Sequence, residues 1–400
     1  MLKRSIRPIL ETALEISPVV LLSGARQVGK STLSSRLFQN YAILDDVDLR
    51  LNAIENPKGF IKQLIKPVCI DEIQKAPNLL EAIKLDVDSD RVNGSYLLTG
   101  SANVLDMKKT KDTLAGRIIA LSLYPLSAKE RNGKPDDNVV DRLFEKNFNC
   151  EKIDSNDIFE FVISGGYPEV QKLDSDLKKR LWFSSYISTY IERDARALGE
   201  IREINNFFKF INVLAPRTAT LLNKSKIAGA VSLKDSVVDN FITILELLYQ
   251  VELLRPYSEN IGKQFVKSPK LYMLDTGIAC HLLRVKDIKA LESSHYKGQI
   301  LETFIFSELR KHMSFSVDSI DIFHYRTNDK KEIDFILSRG DKMVAIEVKS
   351  SYSVNRSDFK HIFELQKISK KEILGIVFYM GEHTLEIDEN NFALPFGIFF

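Results

Sequence analysis

The chain has 400 residues, which is enough for two or three domains that each bury a hydrophobic core. Apolar residues make up 44% of it and charged residues 28%, as in ordinary globular proteins. Lys and Arg number 56 against 54 Asp and Glu, so the net charge gives no argument for or against nucleic acid as a partner. A nucleic-acid surface would have to be a local basic patch.

The cysteines and the first residues exclude several classes of protein. Cys69, Cys150 and Cys280 are far apart and odd in number, which fits neither a disulfide framework nor a zinc site. The N-terminal residues lack the uninterrupted apolar stretch of a signal peptide. No segment approaches the roughly 20 apolar residues of a membrane span. We therefore expect a cytoplasmic protein with no membrane partner.

Predicted strands and helices alternate over the first third of the chain. Short apolar runs predict buried strands and amphipathic spacing predicts helices: strands at 19–22, 68–70, 96–98 and 118–121, helices at 5–16 and 30–38. Such alternation is typical of a parallel sheet with right-handed crossovers, so we predict an α/β fold. A polar, turn-rich stretch marks the end of this part. The predicted domains are a parallel-sheet core at 1–130, a mainly helical segment at 131–285 and a second, mixed α/β domain at 286–400.

A phosphate-binding loop follows the first strand. It matches the pattern G-x-x-x-x-G-K-[ST] in full, with Gly24, Ala25, Arg26, Gln27, Val28, Gly29, Lys30 and Ser31. The buried strand before it and the helix after it are the expected context, and the helix adds its positive end. We expect Lys30 to reach the β- and γ-phosphates of ATP, Ser31 to coordinate Mg²⁺ and Thr32 to add a hydroxyl near the α-phosphate. The predicted cofactors are therefore ATP and Mg²⁺.

An acidic pair ends the next buried strand. The run 68–70 delivers Asp71 and Glu72 to the carboxyl edge of the sheet, where ligands bind in open α/β folds. We expect Asp71 to hold the magnesium ion through water and Glu72 to orient or deprotonate the attacking water. The alternative is that the pair only caps the next helix.

Three further residues have a functional interpretation and a local one. Thr99 or Ser101, at the end of the following strand, is placed to sense the γ-phosphate, and we include Ser101 among the ATP-binding residues; both hydroxyls alternatively cap a helix. Arg117 comes just before the last strand of the core. It either reaches a neighbouring subunit's phosphate as a catalytic arginine or pairs with a local carboxylate.

These motifs resemble those of the prokaryotic AAA-type ATPases of the archaeal-ATPase-like group. Beyond the phosphate-binding loop, the resemblance is carried by DEIQKAP at 71–77, LTGS at 98–101, LAGR at 114–117, YPLS at 124–127, GGYPE at 165–169 and YIERD at 190–194. It extends over essentially the whole chain. It implies an AAA+ core, self-association, and a C-terminal domain of unassigned function that resembles restriction-endonuclease folds.

The middle segment has the order of a winged-helix module. Helices are predicted at 223–228 and 233–249, and an extended hairpin begins at 251. The second helix is acidic and apolar, which is poor material for reading DNA. The hairpin is more basic and could contact phosphates without reading sequence; its cations are Arg255, Lys263, Lys267 and Lys270. The alternative is a packing module that relays the state of the ATPase.

Charged side chains gather on the predicted strands of the last domain. Glu347 and Lys349 are two residues apart on one strand and share a face, and Asp334 lies on the strand before it. Glu302, on the preceding helix, completes the cluster. We expect Asp334 and Glu347 to hold Mg²⁺ and Lys349 to position or activate water, which suits phosphodiester cleavage.

The spacing of these residues resembles the PD-(D/E)xK nuclease pattern, although Ile333 stands where that pattern has proline. The alternative is an exposed strand edge with solvated ion pairs. Two functions follow from these alternatives. The first is an ATP-dependent enzyme that acts on DNA. The second is a nucleotide switch with a protein partner and a nuclease-like domain that no longer cleaves. A metal ion in the cluster would favour the first.

Overall fold

The computed structural model describes residues 2–101, 114–198, 204–258, 268–329 and 331–400. Contacts divide the chain into two compact units. Unit 1 comprises residues 3–125 together with 247–249, and unit 2 comprises residues 126–246 together with 250–400. The helical segment and the C-terminal domain, which the sequence analysis separates, therefore belong to the same compact unit.

Unit 1 contains a five-stranded parallel sheet. A parallel sheet and four of its strands are as predicted, but the strand at 40–43 has no counterpart among the predicted strands. Its strands are β1 (Val19–Ser23), β2 (Asn40–Ile43), β3 (Val68–Asp71), β4 (Tyr96–Gly100) and β5 (Ile118–Ser122). Their order across the sheet is β2-β3-β4-β1-β5, and every pair is parallel. All residues of β1, β3 and β4 are buried, which explains why their sequences are almost continuously apolar.

In the described part of unit 1, five α-helices pack around this sheet. They are α1 (Arg7–Ile16), α2 (Lys30–Ser34), α3 (Val47–Glu55), α4 (Pro57–Gln63) and α5 (Leu79–Ser89). Helix α2, which follows the phosphate-binding loop, is shorter than predicted and gives way to a turn after Ser34. The serines at its end compete for backbone hydrogen bonds: Ser34 Oγ donates to the carbonyl of Lys30, 2.9 Å away.

The first part of unit 2 is mainly helical. Its helices are α6 (Ala128–Arg131), α7 (Val139–Phe144), α8 (Ser155–Ser164), α9 (Asp176–Ser185), α10 (Glu192–Leu198), α11 (Ile204–Leu214), α12 (Lys224–Val231) and α13 (Asp235–Leu247, whose last residue belongs to unit 1). A π-helix, Tyr186–Ile191, joins α9 to α10.

A small antiparallel sheet combines one strand from among these helices with two strands that follow them. Its strands are β6 (Thr220–Leu221), β7 (Val251–Leu254) and β8 (Lys270–Met273), in the order β6-β8-β7. The predicted order of two helices and a hairpin is thus present, and β6 adds a third strand. The assignment of this order to a winged-helix module stays a prediction. Lys263 and Lys267, in the connection between β7 and β8, lie outside the described residues.

The C-terminal part of unit 2 is built on a mixed six-stranded sheet. Its strands are β9 (Asp321–Arg326), β10 (Glu332–Arg339), β11 (Lys342–Val348), β12 (Glu372–Tyr379), β13 (Leu385–Asp388) and β14 (Asn391–Pro395). Their order is β13-β14-β12-β11-β10-β9, with parallel pairing of β12 to both β11 and β14. The helices of this part are α14 (Thr276–Leu282), α15 (Ile288–Ser293), α16 (Lys297–Ser314) and α17 (Lys360–Ile368). The mixed α/β character is as predicted, whereas β13 and β14 have no counterpart in the sequence analysis.

No helix in the described part of the chain combines the length and the apolar character needed to traverse a bilayer.

Candidate functional site

Parallel pairing places the predicted nucleotide-site residues at one edge of the sheet in unit 1. Ser23, the last residue of β1, is opposite Gly100 at the end of β4, and β3 pairs with the other side of β4. The phosphate-binding loop, the acidic pair and Ser101 all follow these strand ends. The site is therefore built by neighbouring strands that end at the same level.

The loop backbone has the shape of a phosphate cradle. Gly24 has φ +152°, and a Cβ at this position would lie 2.1 Å from the carbonyl oxygen of Leu123. Gly29 has φ +101°, in the left-handed region that favours glycine. Lys30 is only 7% exposed, and its Nζ donates to the carbonyls of Gly24 and Ala25, each 2.8 Å away. The ammonium group therefore lies inside the curve of the loop.

An arginine that the sequence analysis missed supports the loop. Arg4 Nη1 donates to the carbonyl of Val28 at 2.6 Å, and its Nη2 donates to the carbonyl of Tyr124 at 2.7 Å. Gln27 adopts the left-handed conformation, and the side chain of Thr32 is exposed. Arg4 lies near the N-terminus, far in sequence from any motif, so the sequence contains no pattern that marks it as a site residue.

The groups proposed for magnesium lie together. Ser31 Oγ donates to Asp71 Oδ2 at 3.0 Å, and Thr99 Oγ1 donates to the other oxygen of the same carboxylate. A hydroxyl and a carboxylate next to a phosphate cradle form the oxygen-rich donor set that Mg²⁺ prefers. Thr99 is fully buried and is occupied in orienting Asp71, which leaves Ser101 as the candidate for sensing the nucleotide.

Glu72 is held by groups from two other segments. It has the left-handed backbone φ of +61°, uncommon for a residue with a side chain. Arg26 Nη1 lies 3.2 Å from Glu72 Oε1, and Gln74 Nε2 donates to Glu72 Oε2. The same Nε2 donates to Ser101 Oγ at 2.9 Å. Gln74 is a second site residue that the sequence analysis did not single out, although it stands only two positions after Glu72.

Arg117 pairs with a local carboxylate, which is one of the two alternatives given for it above. Its Nη2 lies 3.1 Å from Asp88 Oδ2, its Nε donates to the other oxygen, and its Nη1 donates to the carbonyl of Ala115 at 2.9 Å. The hydrogen bond and charge of Arg117 lower the pKa of Asp88 below its usual value. The pair is exposed, and a role of Arg117 across a subunit boundary stays a prediction.

The structure also brings the predicted C-terminal cluster together in unit 2. Lys349 Nζ lies 3.3 Å from Glu347 Oε2. Asp334, on β10, accepts a hydrogen bond from the backbone N–H of Val348 at 3.0 Å. Glu302, on α16, and Asp334 both raise the pKa of Glu347 through their negative charge. The four side chains therefore share one polar site, as their spacing predicts.

Lys270 occupies the centre of this cluster. It comes from β8 and is only 3% exposed. Its Nζ lies 3.0 Å from Glu302, 2.6 Å from Glu332 and 3.3 Å from Asp334. The hydroxyl of Tyr272 donates to Glu302 at 2.6 Å. The alternation of Lys270 and Tyr272 along a strand was a signal for one shared polar face, which the sequence analysis overlooked.

Burial and mutual repulsion set the protonation of these carboxylates. Burial raises the pKa of Glu302 to about 7, and the charge of Asp334 adds to the rise. The same two causes, in the same order, raise the pKa of Glu347 to about 8. Burial alone would lower the pKa of Lys270, but Glu302, Asp334 and Glu332 outweigh it and raise that pKa. Burial thus favours the protonated forms of Glu302 and Glu347, whereas Lys270 and Arg326 outweigh burial at Glu332 and lower the pKa of that carboxylate.

One expectation, the accessibility of Lys270, needs correction. Lys270 was predicted to contact phosphates from a basic hairpin, but it is buried and bonded to three carboxylates, so it is not available to DNA. Within the described ranges, no three His, Cys, Asp or Glu side chains are grouped so that they could hold a metal ion. A metal held by Asp334 and Glu347 alone stays a prediction.

Family models match three consecutive segments of the chain. Residues 17–132 match a model described as "AAA domain". Over these residues the chain is similar to AAA-type ATPase domains. Residues 155–289 and 297–399 match models described as "Domain of unknown function", DUF8612 and DUF4143. The last match assigns no activity, so the nuclease-like character of the C-terminal domain stays a prediction.

Relatives with known sequences are similar over most of their length. An uncharacterized protein of Mycobacterium tuberculosis is 27% identical over 392 residues, which cover 96% of this chain and 82% of the relative. An uncharacterized protein of Haemophilus influenzae is 25% identical over 401 residues, which cover 92% of this chain and 91% of the relative.

Solved structures give weaker similarities. The Walker-type ATPase of Pyrococcus abyssi has a TM-score of 0.40 and 16% identity, covering 69% of this chain and 94% of that one. AMPPCP-bound DnaA from Aquifex aeolicus has a TM-score of 0.29 and 14% identity, covering 60% of this chain and 85% of that one. At these TM-scores neither similarity supports an inference about function.

Replacing Lys270 by methionine should destabilise unit 2. The substitution leaves three carboxylates without their shared cation, and breaking a buried ion pair from one side costs about 3–5 kcal/mol. Denaturant unfolding followed by fluorescence of Trp182, the single tryptophan and a member of unit 2, measures the loss. Lys342→Met, at an exposed position of β11, is the matched control and should change little. Equal stability of the Lys270 variant and the wild type would contradict the assigned role.

Proposed function

We propose that the AAA-type domain binds Mg-ATP and hydrolyses it. The observation that carries the proposal is the hydrogen bond of 3.0 Å between Ser31 and Asp71. It places the end of the phosphate-binding loop against the carboxylate of β3, where magnesium and the terminal phosphate meet in P-loop ATPases. A chance Gly-Lys-Ser turn would have no reason to face an acidic strand end.

Each residue of the site has a defined task in this proposal. The loop N–H groups and Lys30 bind the β- and γ-phosphates, since the positive end of α2 and the ammonium group favour anions. Ser31 and Asp71 would hold Mg²⁺, which when bound neutralises charge on the phosphates. Glu72 orients the attacking water and accepts its proton. Arg26 and Gln74 fix the carboxylate of Glu72 in position.

Lys30→Ala should lose most of the affinity for Mg-ATP. The ammonium group makes charge-assisted hydrogen bonds worth about 1.5–3 kcal/mol each, so affinity should fall roughly 10- to 100-fold. Isothermal calorimetry with the non-hydrolysable analogue AMPPCP measures it. Lys62→Ala, on the exposed surface of α4, is the control and should bind normally. Unchanged affinity in Lys30→Ala would remove the basis for ATP as the ligand.

Glu72→Gln should bind ATP with normal affinity and turn it over slowly. The amide keeps the shape of the side chain but cannot accept the proton, and general-base catalysis is worth about 10²–10⁴-fold in rate. Phosphate release under saturating ATP measures the turnover. Glu81→Gln, exposed on α5, should retain full activity. A Glu72→Gln variant that hydrolyses ATP at the wild-type rate would show that another group activates the water.

For unit 2, one observation favours the second of the two predicted functions, a nucleotide-dependent switch with a protein partner. The ammonium of Lys270 lies among Glu302, Glu332 and Asp334 and supplies the positive charge that these acids need. A carboxylate cluster neutralised from within has less electrostatic attraction for a divalent cation. We therefore favour a C-terminal domain that binds a protein partner and does not cleave DNA. Coupling to DNA remains the competing hypothesis.

The two hypotheses differ in what happens to DNA. In an assay of ATP turnover with and without duplex DNA, in Mg²⁺ and in Mn²⁺, we expect the DNA to remain intact. Gel analysis of the DNA from the same reactions provides the measurement. Metal-dependent cleavage that disappears in Lys349→Ala, while ATP hydrolysis persists, would establish the nuclease hypothesis instead.

A further inference from the structure

Gln74, which links the groups of the ATP site, lies inside the DEIQKAP segment at 71–77, but the sequence analysis assigns it no role. Gln74 lies in a short 3₁₀ helix, Ile73–Lys75, that follows the acidic pair. Ile73 is completely buried and anchors this turn in the core of unit 1. The fixed turn holds Gln74 beside Glu72, and its amide also reaches Ser101, on the neighbouring strand end.

The hydrogen bonds of Gln74 have a defined direction. A primary amide has two N–H donors, and Gln74 Nε2 donates to Glu72 Oε2 and to Ser101 Oγ. The charge of Glu72 fixes this orientation, because a flipped amide would point its oxygen at a carboxylate. Ser101 accepts from Gln74, so its own O–H is available to donate. A phosphate oxygen can only accept such a bond.

We propose that Gln74 is a positioning residue that connects Ser101 to Glu72, so that a γ-phosphate bound at Ser101 fixes the catalytic carboxylate for attack. Gln74 donates one hydrogen bond to Glu72 and another to Ser101. Ser101 in turn donates to the phosphate, so the phosphate and Glu72 are connected through Ser101 and Gln74. Arg26 Nη1 lies 3.2 Å from the other oxygen of Glu72. The carboxylate is therefore held at both oxygens, and loss of the Gln74 amide would allow it to rotate.

The amide oxygen gives independent support. Gln74 Oε1 is buried and has no hydrogen-bond partner among the residues that the structure describes. A buried acceptor without a donor is costly, and a water molecule beside Glu72 would satisfy it. A water bound there would hold the amide of Gln74 in place, and through it the carboxylate of Glu72.

The inference rests on the proposed ATP hydrolysis, and it is tested by separating affinity from turnover. Gln74→Ala should bind AMPPCP within about twofold of the wild type, because Lys30 and Ser31 remain in place. Its kcat should fall by about 10²-fold, the usual consequence of misplacing a catalytic group by roughly 1 Å. Gln63→Ala, exposed on α4, is the matched control and should keep the wild-type kcat.

A double-mutant cycle distinguishes positioning from a general structural effect. In the Glu72→Gln background, Gln74→Ala should reduce kcat only slightly further, because the carboxylate it positions is already gone. Ser101→Ala combined with Gln74→Ala should likewise be less than additive. Fully additive losses, or a wild-type kcat in Gln74→Ala, would overturn the inference while leaving ATP binding by Lys30 intact.

If Gln74→Ala does not bind AMPPCP, Gln74→Glu takes its place in the same measurements. It has the same number of heavy atoms, lacks the donors and places a second carboxylate against Glu72. It should bind nucleotide and lose turnover. Wild-type turnover in Gln74→Glu would overturn the inference. Normal AMPPCP binding by Lys30→Ala would instead refute the proposed function itself, so the two failures are distinguishable.

Discussion

The parallel pairing of β1 with β4 and β5 is the constraint on which the nucleotide site depends. Val19 to Ser23 are in register with Tyr96 to Gly100 on one side and with Ile118 to Ser122 on the other. Parallel neighbours end at the same edge, so the loop after β1 must open beside the residues that follow β4. Because β3 pairs with β4, Asp71 at the end of β3 also lies at this edge and accepts a hydrogen bond from Ser31. The buried apolar strands therefore provide both the stability of unit 1 and the geometry of its site.

The two charged sites satisfy their buried groups in different ways. In the nucleotide site, Lys30 is bonded to two backbone carbonyls, which are neutral acceptors. A phosphate competes well for such a cation, because its negative charge adds Coulomb attraction that a neutral carbonyl does not supply. In unit 2, Lys270 is bonded to carboxylates, and exchange of these partners would leave acids buried and unpaired. The arrangement around Lys30 is suited to binding an anion. The arrangement around Lys270 is suited to keeping its present ion pairs.

The predictions succeeded where the signal lies in contiguous sequence. The apolar runs located all four predicted core strands, and the loop from Gly24 to Ser31 has the predicted strand before it and helix after it. Prediction was weaker where local preferences compete, as at the serines that end α2, or where strands are short and exposed, as in β13. The partner of Arg117 could not be chosen, because Asp88 lies on a different element and only packing brings the two together.

The sequence by itself determined the α/β class, the phosphate-binding loop and the identity of the acidic pair, because each depends on neighbouring residues and on one repeating pattern. Only the tertiary structure decided that Gln74 connects Glu72 to Ser101 and that Lys270 lies among Glu302, Glu332 and Asp334. Both arrangements join side chains from separate elements. The direction in which a lysine on a short strand points, outward to solvent or inward to acids, is fixed by what packs against that strand. Composition and spacing do not contain that information. The direction matters for function, because a buried lysine needs acids as partners whereas an exposed one is available to a ligand.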